Sequence, residues 1–179
     1  MRKDAAQRRD ALREAAATTF AEHGLDVPLD AIAERAGVGR ATLYRNFADR
    51  DELVLAVFAG LVDDLGDRMR RNEGSDAFFD FVEELAELVL GNVALSVVLR
   101  AERSREALIG LRQKIIAAGA LALSRSQAAG RVRSDLDVED IRIIAALLGA
   151  GLETAEADER EAISRRTRTL ILDGLRHRS

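Results

Sequence analysis

Apolar residues recur along this chain three and four positions apart, and no alternating Val/Ile/Thr run bounded by turn residues survives inspection. The pattern predicts an all-α protein of about nine helices. The first spans residues 4–23, with Leu12, Ala15, Ala16, Thr19 and Phe20 at helical spacing and Gly24 as its left-handed stop. Pro28 opens the second, 29–36, where its missing N–H costs nothing. Gly37-Val38-Gly39 breaks the chain before a short third helix, Arg40 to about Phe47. Asp49 and Glu52 have the spacing of a capping box that starts the fourth, whose stripe runs Leu53, Val54, Val57, Phe58, Leu61, Val62, Leu65. Polar residues 68–75 read as a loop. The fifth helix starts near Ser75 and breaks at Gly91-Asn92. A sixth is expected over 93–103, and a seventh from a cap at Ser104 to Ala129. Asp137 with Asp140 caps the eighth, and Asp158 with Glu161 the ninth.

The eighth helix is apolar on two sides. Ile141, Ile144, Ala145, Leu148 and Leu152 make one face, and Ile143, Ala146, Leu147 and Ala150 much of another. Such a helix is buried on both sides, either centrally in one subunit or against a second copy. A two-fold homodimer is the favoured reading, because small soluble oligomers are most often two-fold dimers. Its expected interface is Ile144, Leu148 and Leu152 with Ile163, Leu170 and Ile171 of the ninth helix.

Composition narrows the chemistry. The chain has 179 residues, no Cys and two His, so disulfides, thiol nucleophiles and Cys-ligated zinc are excluded and a multi-histidine site is not expected. No metal and no cofactor are expected. The longest apolar runs, 115–123 and 143–152, fall well short of the ~20 residues of a membrane span. The basic N-terminal stretch leads into no apolar segment, so no secretory signal and no membrane partner are expected, and the chain reads as cytoplasmic.

A net charge of −4 argues weakly against nucleic acid until the charges are located. Residues 1–48 carry net +1 and residues 49–179 carry net −5. Within 35–50 stand Arg35, Arg40, Arg45 and Arg50 against Asp49 alone, net +3, and Arg2, Lys3, Arg8 and Arg9 form a basic arm. Residues 29–47, two short helices about a Gly-containing turn, carry the helix-turn-helix pattern. On a helical wheel Leu43 and Phe47 share one face and join Ile32, Ala33 and Val38 in a small core. Ala41 and Arg45 point the opposite way, flanked by Thr42 and Tyr44. Arg45 suits guanine edges, Thr42 and Tyr44 suit phosphates, and Ala41 permits close approach. Arg40, Asn46 and Arg50 complete the candidate DNA-binding set. The plain alternative is an ordinary helical pair whose arginines are merely solvated. The location of the basic residues favours DNA.

The stretch Ala36–Phe47, AGVGRATLYRNF, with Phe20 and Gly24 before it and DRDEL after it, resembles the tetracycline-repressor-like (TetR) family over about residues 8–58. Gly39 stands where that family usually has a capping Ser or Thr, leaving only its backbone for a phosphate, and Pro28 also replaces a common cap. The resemblance implies an N-terminal three-helix DNA-binding domain, residues 1–48, and a C-terminal ligand-binding and dimerisation domain, residues 49–179. It implies a dimer paired through its last two helices, a double-stranded DNA operator, and repression relieved by an unidentified small-molecule effector. Helix four would link the two domains.

No effector site is readable. Phe78, Phe79 and Phe81 fit a core better than a cavity, and Asn92, Ser96, Arg100 and Gln113 fit surface or capping roles. Carboxylates 63, 64 and 67, and 83, 84 and 87, fit solvated faces. Gly149-Ala150-Gly151 lacks the strand of a dinucleotide motif, and His23 needs only a helix-terminal role. The second reading is a helical ligand-binding or interaction module without specific DNA readout. An enzyme ranks third, since no nucleophile–base–orienter set can be assembled.

Overall fold

A computed structural model describes residues 2–93, 105–152 and 154–176. Its described residues hold eight helices: α1 Arg2–His23, α2 Leu29–Arg35, α3 Arg40–Asn46, α4 Arg50–Arg71, α5 Ala77–Gly91, α6 Arg105–Ala128, α7 Asp140–Gly149 and α8 Ala157–Leu175. Among them there is no strand, and the one backbone bridge pairs Val132 with Arg176. The sixth expected helix, 93–103, lies outside the described residues but for its first position. No described helix is long and apolar enough to cross a membrane.

Chain contacts divide the molecule into two compact units, 1–60 and 61–179. The division falls inside α4, so the first part of that helix packs with the N-terminal unit, whereas residue 48 is where the motif itself ends. In unit 1, Leu12, Ala16, Ile32, Leu43, Phe47, Leu53 and Phe58 are buried. The stops act as expected: Gly24 has φ +78° and Gly37 φ +67°, where a side chain would be strained. The capping box at α4 also forms. Asp49 Oδ1 accepts the Glu52 N–H at 2.9 Å, and Glu52 Oε2 accepts the Ala48 N–H at 2.8 Å. The helix then runs to Arg71, through half of the expected loop. Its last carbonyls find a donor, because Arg125 of α6 reaches Met69 O at 3.0 Å and also Asn72 O.

Unit 2 is built on α5, whose Phe78, Phe81, Val82 and Leu85 are fully buried. The Phe78 and Phe81 rings stack at 5.8 Å. Gly119 of α6 lies so close to that stack that an added Cβ would sit 2.7 Å from two Phe81 ring carbons. The first turn of α5 is satisfied from a distance, by buried Ser126 of α6 accepting the Phe78 N–H at 3.0 Å. Asp76, at the α5 N-cap, gives its carboxylate to Arg131 instead.

Three further boundaries differ from expectation. Asp140 accepts the Asp137 N–H and Asp137 accepts the Glu139 N–H, but the regular helix begins at Asp140 and ends at Gly149. Leu152 therefore lies beyond it, after Gly151 has turned the chain at φ +80°. The last helix begins at Ala157 after Glu156, with Asp158 in its first turn rather than capping it.

Burial corrects part of the expected dimer interface. Ile144, Leu148 and Leu152 are only 6, 2 and 1 % exposed within the single chain. They are core residues of unit 2 and have no surface to give a second copy. The outward face of α7 is the other one, with Ile143 and Leu147 each 48 % exposed. On α8, Leu170 is 56 % exposed and Ile163 and Ile171 are half-buried.

Candidate nucleic-acid interface

The candidate site rests on α2 and α3, seven residues each. Helices that short are marginal alone, so tertiary contacts hold them. The inward side of α3 supplies them: Leu43 and Phe47 are fully buried beside Ile32 and Ala33 of α2. Val38 departs from expectation. It is half-buried at the rim of this core, because the turn that follows Gly37 lifts it toward the surface.

The opposite side of α3 faces outward. Ala41 and Arg45 are exposed, Tyr44 is 48 % exposed, and Thr42 is half-buried. Arg45 Nη2 donates to Thr42 Oγ1 at 3.0 Å, which draws the two into one polar patch. Asn46 is turned back on its own helix, its Nδ2 donating to Thr42 O at 2.7 Å. Its amide thus serves the α3 end. At the start of α3, Gly39 takes the N-cap with no side-chain bond, and its carbonyl accepts the Thr42 N–H at 2.8 Å.

The arginines are less alike than a charge count implies. Arg35 is bidentate to Glu22 at 2.5 and 2.9 Å. That bond is the main cause holding the Glu22 carboxyl below, and the Arg35 guanidinium above, their ordinary pKa values. Arg40 Nε pairs with Asp30 at 2.7 Å, yet the side chain stays largely exposed. Arg50 donates to Leu25 O and so ties the start of α4 to the α1–α2 loop. Among the described residues Arg45 alone of these four meets neither a carboxylate nor a backbone carbonyl. The local +3 is thus offset by Glu22 and Asp30, which the fold brings in from outside the window.

Two residues that sequence reasoning did not single out for the site complete it. Arg9 of the presumed arm is folded onto unit 1, with its Cζ 4.2 Å from the Phe47 ring centre. One of its terminal nitrogens donates to Asn46 O, and the other to Glu52 Oε1 at 3.2 Å. Glu52 was expected only as a cap. Nothing local in the sequence signals the pair, since the two stand 43 positions apart.

Elsewhere the carboxylate clusters are engaged: Asp63 with Lys114, Glu84 with Arg68, and Glu83 and Glu87 with Arg168. A shallow cavity of about 590 Å³ is lined by Leu61, Asp64, Arg68, Glu83, Glu84, Glu87, Leu88 and Asn92. Asn92 itself donates to Leu88 O at 2.8 Å, a helix-end role, while Ser96 and Arg100 lie outside the described residues.

Residues 12–57 match the family described as bacterial regulatory proteins of the tetR family, and residues 73–177 match the C-terminal domain of SbtR-like transcriptional regulators. The chain is 30 % identical to the transcriptional activator FasR of Mycolicibacterium smegmatis, covering 74 % of this chain and 76 % of that one. A TetR regulatory protein of Mycobacterium vanbaalenii superposes with a TM-score of 0.63 at 35 % identity, covering 98 % of both chains. A TetR regulator of Streptomyces coelicolor gives 0.67 at 31 %, covering 96 % of this chain and 99 % of that one.

Proposed function

The chain belongs to the TetR family of bacterial transcriptional regulators, and on that premise we propose that it reads a palindromic operator as a homodimer. A small molecule bound in the C-terminal domain, residues 49–179, releases it from the DNA that residues 1–48 hold. The observation that carries this reading is the two-sided α3, anchored by Leu43 and Phe47 and presenting Ala41, Thr42, Tyr44 and Arg45 outward. Arg45 is the base reader, since a guanidinium bonds guanine O6 and N7 together. Tyr44 and Thr42 meet phosphates, and Arg40 and Arg50 add charge at the two ends. Asn46 has a lesser, helix-end part.

Dimerisation uses the outward face of α7 and the exposed stripe of α8, with Ile143 and Leu147 replacing the buried residues first expected there and Leu170, Ile163 and Ile171 kept. A two-fold pair must set its reading helices about 34–36 Å apart to meet successive half-sites. A coupling of ~1–3 kcal/mol between effector and DNA sites then changes operator affinity 5- to 150-fold. Repression is the family's usual outcome, while the relative FasR bears the name activator. Reporter expression from the selected operator, with and without the regulator, decides the sign.

Selection of bound duplexes from a random library, followed by fluorescence anisotropy at several salt concentrations, tests the reading. A palindromic consensus bound far more tightly than its scrambled version supports it, and equal affinity for both defeats it. Light scattering should give a dimer at micromolar concentration. A monomer there contradicts the pairing.

A further inference from the structure

We propose that Arg9 and Glu52 are positioning residues for the DNA-reading helix: they fasten the C-terminal end of α3 to α1 and to the first turn of α4 without themselves contacting DNA. This rests on the reading of α3 as the DNA-binding element. Arg9 makes three contacts at one place, to Asn46 O, to Glu52 Oε1 and over the buried ring of Phe47. A cation over an aromatic face and beside the carbonyl end of a helix is favoured on both counts. Glu52 uses its second oxygen for the Ala48 N–H, so one carboxylate joins the α3–α4 link to α1.

The arrangement places a charged joint at the end of α3 opposite Gly39, where the helix has no side-chain cap. At that start Arg40 pairs with Asp30 through a largely exposed side chain, whereas the finish is held by two bonds and a ring contact at one guanidinium. Leu43 and Phe47 hold α3 down, but two apolar contacts on one side leave rotation about the helix axis loosely fixed. The Arg9 guanidinium, planar and bonded at both terminal nitrogens, supplies a directional restraint that apolar packing lacks. Movement of the first turn of α4 carries Glu52 with it, and through Arg9 it turns the face that bears Arg45.

Two substitutions separate positioning from direct contact. Glu52→Gln keeps an oxygen for the Ala48 N–H and removes a negative charge from the DNA-binding unit. Electrostatics alone predicts tighter DNA binding, whereas positioning predicts weaker. Arg9→Lys keeps the charge but loses the planar fork whose two nitrogens separately bond the Asn46 carbonyl and Glu52. A phosphate contact would survive that change, and a positioning bond would not.

The experiment is anisotropy of the full-length chain on its selected duplex, with circular dichroism melts of each variant. We expect each substitution to weaken binding about tenfold, within the range of coupling between parts of one protein. The double variant should be no weaker than either single one, and the slope of log affinity against log salt should match the wild type. Arg9→Lys binding like the wild type, Glu52→Gln binding equally or more tightly, or losses that simply add overturns the proposal while leaving the DNA reading intact. A wild-type chain that selects no duplex overturns the DNA reading itself.

Discussion

In unit 1 the motif helices are seven residues each, whereas in unit 2 α6 has 24 and α8 has 19. The short helices are held by a few side chains from distant positions: Phe47 and Leu43 inside, Arg9 and Arg50 on backbone carbonyls, Arg35 on Glu22. Of the long ones, α6 is held by apolar burial, with Leu111, Ala118, Ala122 and Leu123 buried and Gly119 against the Phe78–Phe81 stack; α8 buries Ser164 and Leu175 and is tied to α5 through Arg168 on Glu83 and Glu87. A small unit that must offer a polar face to DNA has little apolar area left for its own core. It fixes its geometry with directional bonds, and those bonds engage Arg9, Arg35 and Arg50. The large unit depends chiefly on shape, with Arg125 and Ser126 closing helix ends and ion pairs such as Lys114–Asp63 and Arg68–Glu84 at its surface.

Phe47→Ala should do the most damage. Removing a fully buried ring costs about 3–5 kcal/mol, and here nearly all of it falls on unit 1. Operator binding should vanish in anisotropy while most of the helical circular dichroism, contributed by unit 2, persists at moderate temperature. Simultaneous loss of both signals would mean that the two units do not differ as described.

Gly119→Ala probes the other side. Its Cβ meets a Phe81 ring that is itself pinned by Phe78, so the overpacking costs about 1–3 kcal/mol. Thermal melting should fall without any change in which duplex is selected. Tyr44→Phe is gentler: losing one hydroxyl bond to phosphate should weaken all duplexes alike by about 0.5–1.5 kcal/mol. A change confined to one sequence would assign Tyr44 to a base instead.

The smallest effect is in acid. Arg35 holds the Glu22 carboxyl below its ordinary value of 4.5, with the hydrogen bond as the main cause. A folded-state pKa below the unfolded one adds stability above that ordinary value, and the addition is lost as pH falls through the folded value. Glu22→Gln should therefore flatten the acid end of the stability curve slightly, as read from urea midpoints taken from neutral pH down to about pH 3. An unchanged curve would show the pair to be solvated.

The elements themselves were mostly readable in the sequence, because their signals are local. Gly24, Gly37 and Gly130 each adopt the positive φ that ends a helix or turns the chain, and Asp49 with Glu52 forms its box within four residues. Inward and outward faces were harder. Periodicity marked two apolar sides on α7, but only the packed neighbours decide that Ile144 and Leu148 go in and Ile143 and Leu147 stay out. The arginines were hardest. Their partners, Glu22, Leu25, Asp30, Asn46 and Glu52, lie 10 or more positions away in sequence, where charge counting sees nothing. Helix ends set by distant donors, such as α4 closing on Arg125, are hidden for the same reason.

Base reading by α3 through Arg45 is decided by the specificity profile of Arg45→Ala against wild type over the same random duplex library. Preference at one base pair in each half-site should collapse by about 1–3 kcal/mol while the remaining positions keep theirs. Identical profiles for the two proteins would contradict it.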